Sequence, residues 1–597
     1  MGGMCLKRPV GCPVARHQQH APMWVVAVRD VLDMTGRFKP HQVLKAAGLL
    51  LTWNPKMFTI FISHQWLDLH HPDPDGLQLQ VLQRTLRNVI ARKLKIESDI
   101  VSHFYGRPPK AALEQIQGAY LWLDYFCVPQ LVDGHGSPGL AEEQLRYVHS
   151  IPSYVELCNL FLALVPTATH RDTRSACSFN SWLQRGWCRT ELWCHFLSAR
   201  SKAPIVVVKS HDAAIYTAPL WHQYPVGMGD FALDEDRKSC NQIIRVALND
   251  YLSELRESKN KTAFRLYLSL FEDLTGLPRK RRSFEEFLAE FSFAKPVRQY
   301  RGLGPIACGA LSGDSDLLRS LSDAKASLHT NAPGMPETFN MPDFTPLHLA
   351  LWFRSHDLRV VGTLLELRTD PNWSSINIGP AVGASHSAEA VELLVRYGAE
   401  LNFPGKLLHQ FAPLHIQAGK GVPCDVVAKM LELRADPRGG RGGFGSCSPL
   451  CQVAFSGDSE NDLRSAQVLL ESQADPNQLC RPTGVAKSFE LMARAYSRCC
   501  WGEPSILIRA HSDVSSTPLG FCALFANEGL LIYLLCSRAD PDVRNDRGLR
   551  PIDLATSERI RAILQNPAPH MYQLEPISPL GMIFNFCLYK TQEENNK

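Results

Sequence analysis

The chain has 597 residues, too many for one core, and its 45% hydrophobic and 20% charged composition is ordinary for soluble protein. Sixty-three basic residues against 59 acidic leave a net charge of +4, which is not the clustered basic excess of a nucleic-acid binder. Its eighteen cysteines include no C-x-x-C pair, so neither a zinc site nor a thioredoxin-like motif is expected; Cys447 and Cys451 come nearest and read as packing.

Residues 1–55 read as an N-terminal extension, partly disordered. The first 29 residues carry Lys7, Arg8, Arg16 and Arg29 and no acid, a composition shared by organelle transit peptides and solvated tails. Met1-Gly2 begins like a myristoylation site, but Leu6 stands where Ser or Thr is wanted. The apolar stretch at 46–53 is far short of the ~20 residues a membrane span needs. Without a secretory leader the thiols are expected to be reduced, and the location cytoplasmic.

Residues 56–213 alternate short apolar runs with amphipathic stretches. Phe58 to His64 reads as a buried strand, and 81–94 has helical spacing through Leu82, Leu86, Val89 and Ile90. Between them, His70-His71-Pro72-Asp73-Pro74-Asp75-Gly76 mixes metal-ligand types with turn formers, and the prolines and glycine spell a turn. Tyr120 to Asp124 reads as a second strand, followed by a Gly- and Pro-rich loop at 130–139. Helix is expected at 151–158, strand at 160–165, a helix around Glu191, and strand at 204–208. Strands alternating with helices imply a parallel sheet, whose ligands bind beyond the strands' carboxyl ends.

Phe61-Ile62-Ser63-His64 resembles the first strand of Toll/interleukin-receptor (TIR) domains, and Trp187-Cys188-Arg189-Thr190-Glu191-Leu192 resembles the W-C-x-x-E-L segment of plant and bacterial members. Leu121-Trp122-Leu123-Asp124 with Cys127 and Gln130, then Arg185, Trp187 and Glu191, is similar to the related fungal heterokaryon-incompatibility domains. The resemblance implies a TIR-like, flavodoxin-like α/β domain. Some members cleave the nicotinamide–ribose bond of NAD, and their essential carboxylate maps onto Glu191. An anion suits that step, because the bond breaks toward an oxocarbenium-like ribose. Ser63, His64 and Trp66 are the implied nucleotide-lining residues, and Trp187 is expected in the core. Other members are silent adaptors that assemble with one another. The chain departs from the plant pattern after the first strand, where only Asp68 of Gln65-Trp66-Leu67-Asp68 agrees, and in the loop after the second, where Gly134 and Gly136 are the available glycines.

Residues 214–300 read as a helical bridge, with helices at 243–255, 262–274 and 284–293, too apolar for a flexible tether. Arg279-Lys280-Arg281-Arg282 has the composition of a nuclear-localisation patch or of a solvated basic loop.

A phrase then recurs. Thr345-Pro346-Leu347-His348-Leu349-Ala350 is followed by Ala412-Pro413-Leu414-His415, Ser448-Pro449-Leu450 and Thr517-Pro518-Leu519, and units close on Asp-Pro at 370, 436, 475 and 540. This resembles the ankyrin repeat, with its T-P-L-H-x-A signature on a period of about 33 residues. Unit starts are expected at Gly304, Thr345, Asn377, Ala412, Ser448, about Ser488, Thr517 and Arg550, the one near Ser488 badly eroded. Thr or Ser can cap the first helix, Pro suits its first position, and Asp-Pro stops the second. Both histidines are expected to bond within and between units. The glycine run at 439–443 reads as a finger loop.

The expectation is therefore a multidomain protein: the extension, a TIR-like parallel-sheet domain at 56–213, a helical bridge at 214–300, an all-α ankyrin solenoid at 301–566 and a tail at 567–597 with an aromatic stretch at 584–589. Its function is read as a signalling adaptor. A protein partner would bind the concave face of the repeats, and the TIR-like domain would self-associate. The alternative is NAD glycohydrolase activity, with NAD as substrate and no cofactor, metal, nucleic acid or membrane span.

Overall fold

The computed structural model describes residues 17–98, 110–130, 138–198, 205–217, 225–258, 260–294, 302–328, 343–406, 410–419, 423–439, 447–456, 460–499 and 504–568. Met1-Gly2, Gly134, Gly136, residues 440–443 and residues 584–589 lie outside them. The chain divides into two compact units, Met1–Pro342 and Asp343–Lys597. The expected start of the repeats at 301 therefore falls inside the first unit.

Ten strands are described in the first unit: β1 (Trp24–Ala27), β2 (Leu50–Thr52), β3 (Thr59–His64), β4 (Glu97–Ser98), β5 (Tyr120–Trp122), β6 (Leu160–Leu164), β7 (Ala168–Thr169), β8 (Ala176–Cys177), β9 (Ile205–Val208) and β10 (Ala214–Thr217). Eight form one sheet in the order β2-β1-β5-β3-β6-β9-β10-β4, and β7 and β8 pair separately. β5, β3, β6 and β9 are mutually parallel. Numbered along the chain these four stand in the order 2-1-3-4, as in flavodoxin-like sheets, whose topological switch point lies between the first and third strands. Here that point is the β3–β6 edge.

β3 is buried at every residue because it is paired on both sides. One aromatic layer crosses the sheet: the Phe61 ring stacks on Trp122 of β5 at 4.5 Å and lies 5.2 Å from Phe161 of β6. These are cross-strand neighbours in register, the arrangement in which large apolar side chains add most to a sheet.

From Trp24 on, the expected extension is part of the sheet. β1 pairs antiparallel with β2 and with β5, so the sheet begins some thirty residues before the expected boundary at 56. Val25 and Val26 are fully buried, and this burial recruits the segment. The bridge boundary at 214 shifts too, since β10 lies in the sheet between β9 and β4.

Helices α1 (Leu77–Ile90), α2 (Asp124–Cys127), α3 (Ile151–Leu157) and α4 (Gly186–Leu197) surround the sheet, followed by α5 (Asp234–Glu257), α6 (Lys261–Ser269), α7 (Pro305–Ser312) and α8 (Ser315–Asp323). α4 packs on β3, α3 and α5; α5 packs on α6 and α6 on α7. The bridge is thus part of the first unit's core. Its basic patch is occupied: Arg282 pairs with Glu272 and Glu290, each at 2.7 Å, and Lys280 reaches Glu290 at 3.1 Å.

The second unit is a series of helix pairs. They are α9 (Pro346–Arg354) with α10 (Leu358–Glu366); a 3-10 turn (Ala381–Ala384) with α11 (Ala388–Arg396); α12 (Pro413–Ala418) with α13 (Cys424–Glu432); α14 (Pro449–Ser456) with α15 (Glu460–Glu471); α16 (Gly484–Cys499) with α17 (Ile506–Ser512); α18 (Pro518–Phe525) with α19 (Glu528–Cys536); and α20 (Pro551–Leu554) with α21 (Glu558–Gln565). First elements pack serially, α9 on the 3-10 turn, that turn on α12, α12 on α14, α14 on α18, and α18 on α20. Second helices do likewise from α10 through α11, α13 and α15 to α19. An apolar helix face that cannot be covered within its own pair is covered by the next pair.

The α16–α17 pair breaks the series. α14 packs directly on α18 and α15 on α19, so the eroded unit expected near Ser488 is an insertion between rungs, and Ser488 lies inside α16. The second start also moves: Pro380, not Asn377, is the N-cap residue of the 3-10 turn.

Hydrogen bonds between units repeat with the series. His348 Nε2 meets the Gly379 carbonyl at 3.0 Å and His415 Nε2 the Cys447 carbonyl at 2.7 Å. Asn372 Oδ1 accepts the Glu400 N–H, Asn402 Oδ1 that of Asp436, and Asn477 Oδ1 that of Asp540. The last bond spans 63 residues, against 28 and 34 for the others, which places the turn at 540 next to the turn at 477 and the insertion outside the row.

Second helices close on residues in the left-handed region: Arg368, Gly398, Arg434, Gln473 and Arg538, with φ between 64° and 90°. The following N–H returns to the carbonyl five residues back, as Ala435 to Met430 at 2.9 Å and Ala539 to Leu534 at 2.9 Å, a Schellman closure. Glycine fills this position without a Cβ penalty, and four of the five residues are not glycine. Arg434→Gly and Arg538→Gly should each raise stability by about 0.5–1 kcal/mol after the entropy lost to glycine is deducted. Chemical denaturation of the full chain checks this, and a fall in the midpoint for both would contradict it.

Candidate functional site

β3 ends on Ser63 and His64, at the carboxyl edge beside the switch point. Ser63 is fully buried and His64 nearly so. From the next strand over, β5, the chain passes through Leu123 into Asp124, the first residue of α2. From the layer of helices, α4 brings Glu191. Its start is pinned closely: a Cβ on Gly186 would run into the Phe231 ring, and the Arg189 guanidinium binds the Leu183 and Pro225 carbonyls at 2.7 and 3.0 Å.

Two hydrogen-bonded carboxyl groups result. Ser63 Oγ donates to Glu191 Oε2 at 2.5 Å and accepts the Trp182 indole N–H at 3.0 Å. His64 Nε2 meets Asp124 Oδ1 at 2.8 Å, where the Tyr125 N–H also donates at 2.6 Å, and the Trp66 indole reaches Asp124 Oδ2 at 3.5 Å. The four residues expected at the site fall into two hydrogen-bonded groups, Ser63 with Glu191 and His64 and Trp66 with Asp124. His64 Nδ1 is buried and has no hydrogen-bond partner among the described residues.

The two carboxyls are shifted in opposite directions. Glu191 is 8% exposed; burial, with the negative charge of Asp124 added, pushes its carboxyl well above the usual range, against the opposing Ser63 bond. Asp124 also feels burial, which raises it. The charge and hydrogen bond of His64, with the Tyr125 and Trp66 donors, outweigh that and hold it below the usual value. Environments that drive two neighbouring carboxyls apart divide acid from anion.

Sequence reasoning missed Asp124 as a site residue, although it closes the Leu121-Trp122-Leu123-Asp124 segment at a strand's carboxyl end, where ligand-facing groups of a parallel sheet gather. Trp182 was missed as well. It is fully buried, whereas Trp187, expected in the core, is half-buried and donates to Asp236 at 3.1 Å. The N-terminal segment supplies a wall: the Phe38 ring stands edge-on to His64 at 5.7 Å. Asp68 turns away to accept the His70 N–H at 2.7 Å and pair with Arg171 at 3.5 Å. His71 is bonded on both ring nitrogens to backbone, at Phe38 and Asp73, so that segment is a turn built on its side chains.

A carboxyl raised in the folded state keeps its proton after the unfolded chain has lost its own. Above about pH 4.5 stability therefore falls with rising pH, by up to about 1.4 kcal/mol per pH unit, until the folded carboxyl itself ionises. Glu191→Gln keeps an acceptor for Ser63 and removes this loss. The variant should gain on wild type in thermal midpoint as pH rises from 5 to 8, and a gap that stays constant or narrows would contradict the assignment.

No family model and no curated protein matches the chain. Among solved structures it is similar to the ankyrin repeat domain of Bcl-3, described as a unique member of the IkappaB protein family, at 20% identity over 45% of this chain and 100% of that one, with a TM-score of 0.29. The helix series described above stands without that likeness. No described helix is long and apolar enough to cross a membrane.

Proposed function

We propose that the protein is an interaction protein whose second unit recognises a protein partner through ankyrin-type repeats, with the first unit serving assembly in signalling. The observation that carries this is the serial packing of helix pairs. The Asn372, Asn402 and Asn477 bonds set successive turns in one row, an extended edge that needs no catalytic group to be useful. Large apolar side chains stand out along the turn segments: Ile376 is 58% exposed and Phe403 41%. Such residues are the common anchors of a binding face. Selecting binders to the full chain from a displayed peptide library tests this. Ile376→Asp and Phe403→Asp should each weaken the selected binders by about tenfold or more without moving the thermal midpoint. Binders indifferent to both substitutions would remove the reading.

A second reading is favoured by one specific observation, the Ser63–Glu191 bond at the carboxyl end of β3 beside the switch point. It is NAD glycohydrolase activity, cleavage of the nicotinamide–ribose bond within the first unit, with Glu191 essential. Nicotinamide release from NAD by the wild type and not by Glu191→Ala supports it. Equal release from both, or none from the wild type even after enforced oligomerisation, rejects it.

A further inference from the structure

We propose that residues 580–589, in the tail beyond the last helix pair, dock on an exposed apolar seam of α16 within the same unit. The α16–α17 insertion is then a seat for a segment of this chain, and its seam is free for another partner only when the tail is displaced.

α16 has two unlike sides. Ala486, Glu490 and Ala493 are buried, and α17 packs against the helix. Round the other side, Val485, Phe489, Met492, Tyr496 and Cys499 follow at steps of four, three, four and three residues, the spacing that keeps one line of a helix facing a packing partner. Val485, Met492 and Tyr496 are 50%, 57% and 55% exposed, and Cys499 is exposed. Phe489 is half-buried, its ring 6.2 Å from that of His511 on α17. The row of repeats leaves this seam open because the insertion lies outside it.

Size and tether select the occupant. Five side chains on one helix fall well short of the roughly 20–30 residues a side of a standard interface between free molecules. A tethered segment needs less, since its effective concentration is on the order of millimolar. Residues 569–597 lie outside the described residues. Within them, 580–589 carry no charged side chain and include Met582, Ile583, Phe584, Phe586, Leu588 and Tyr589. That run is about half of what a membrane span needs, and left uncovered it is an aggregation hazard. It is also within reach. The chain from Ala568 to Leu580 can extend about 40 Å, against about 24 Å for the length of α16. The last helix pair borders the insertion: Arg509 of α17 donates to the Leu554 carbonyl of α20 at 3.2 Å, and Lys487 of α16 lies 3.8 Å from Asp546.

Chymotrypsin cuts after aromatic residues, so its rate of cleavage between 580 and 589 in the folded full chain reports whether the run is covered. Met492→Asp and Tyr496→Asp should each speed that cleavage about tenfold or more over wild type. Leu491→Asp should not change it, since Leu491 is 55% exposed but stands about 100° round the helix from Met492. In the other direction, Phe584→Asp combined with Phe586→Asp should raise hydrogen exchange of the α16 amides about tenfold. That pair alters no described residue, so it decides alone if the α16 variants lower the thermal midpoint. Wild type cut as fast as the Met492 and Tyr496 variants, equal acceleration by Leu491→Asp, or α16 exchange unchanged by the tail pair would each overturn the proposal. Wild-type protection that falls on dilution assigns the seam to a second copy of the chain, and overturns it too.

Discussion

β3 is hydrogen-bonded on both edges and buried on both faces, and the arrangement of the first unit follows from that constraint. Its neighbours β5 and β6 run parallel to it, so the chain must cross over the sheet between strands and all three carboxyl ends open on the same side. The Trp122–Phe61–Phe161 layer fixes the register. With the register fixed, Ser63 and His64 have no freedom to leave the edge, and Asp124, two residues beyond the end of β5, comes to lie against His64.

Polar groups enclosed in this way must find partners or change their charge. His64 and Asp124 pair with each other, whereas Glu191 has the Ser63 hydroxyl as its donor and burial pushes its carboxyl up. Three segments distant in sequence converge to make this possible, and a fourth, containing Phe38, closes one side. The wall comes from residues that read as an extension, because their strand β1 has an apolar face that only the sheet can cover.

The second unit solves the same burial problem by repetition. Each pair covers the previous one, and the polar atoms at the turns are used as fasteners: imidazole to carbonyl from first helix to the next unit, asparagine side chain to backbone N–H from turn to turn. The α16–α17 insertion leaves that bonding intact, since Asn477 reaches across it to Asp540. It carries its own buried acid, Glu490, neutralised by Lys487 and Arg494 on the same helix, and exposes Val485, Leu491, Met492 and Tyr496.

Local chemistry was legible in the letters. Thr345 and Thr517 cap their helices through the hydroxyl, the prolines after them occupy first helical positions, and the strand at Ser63 was placed by its apolar run. These depend on neighbours a few residues apart, whose effects a sequence displays directly. What tertiary structure alone decided was which distant segments share an environment. Residues 24–27 joined the sheet, residues 484–512 left the row of repeats, and the carboxyls of Glu191 and Asp124 were shifted in opposite directions. Burial and mutual charge depend on through-space distance, and no spacing along the chain encodes how far Asp124 lies from His64 and Glu191.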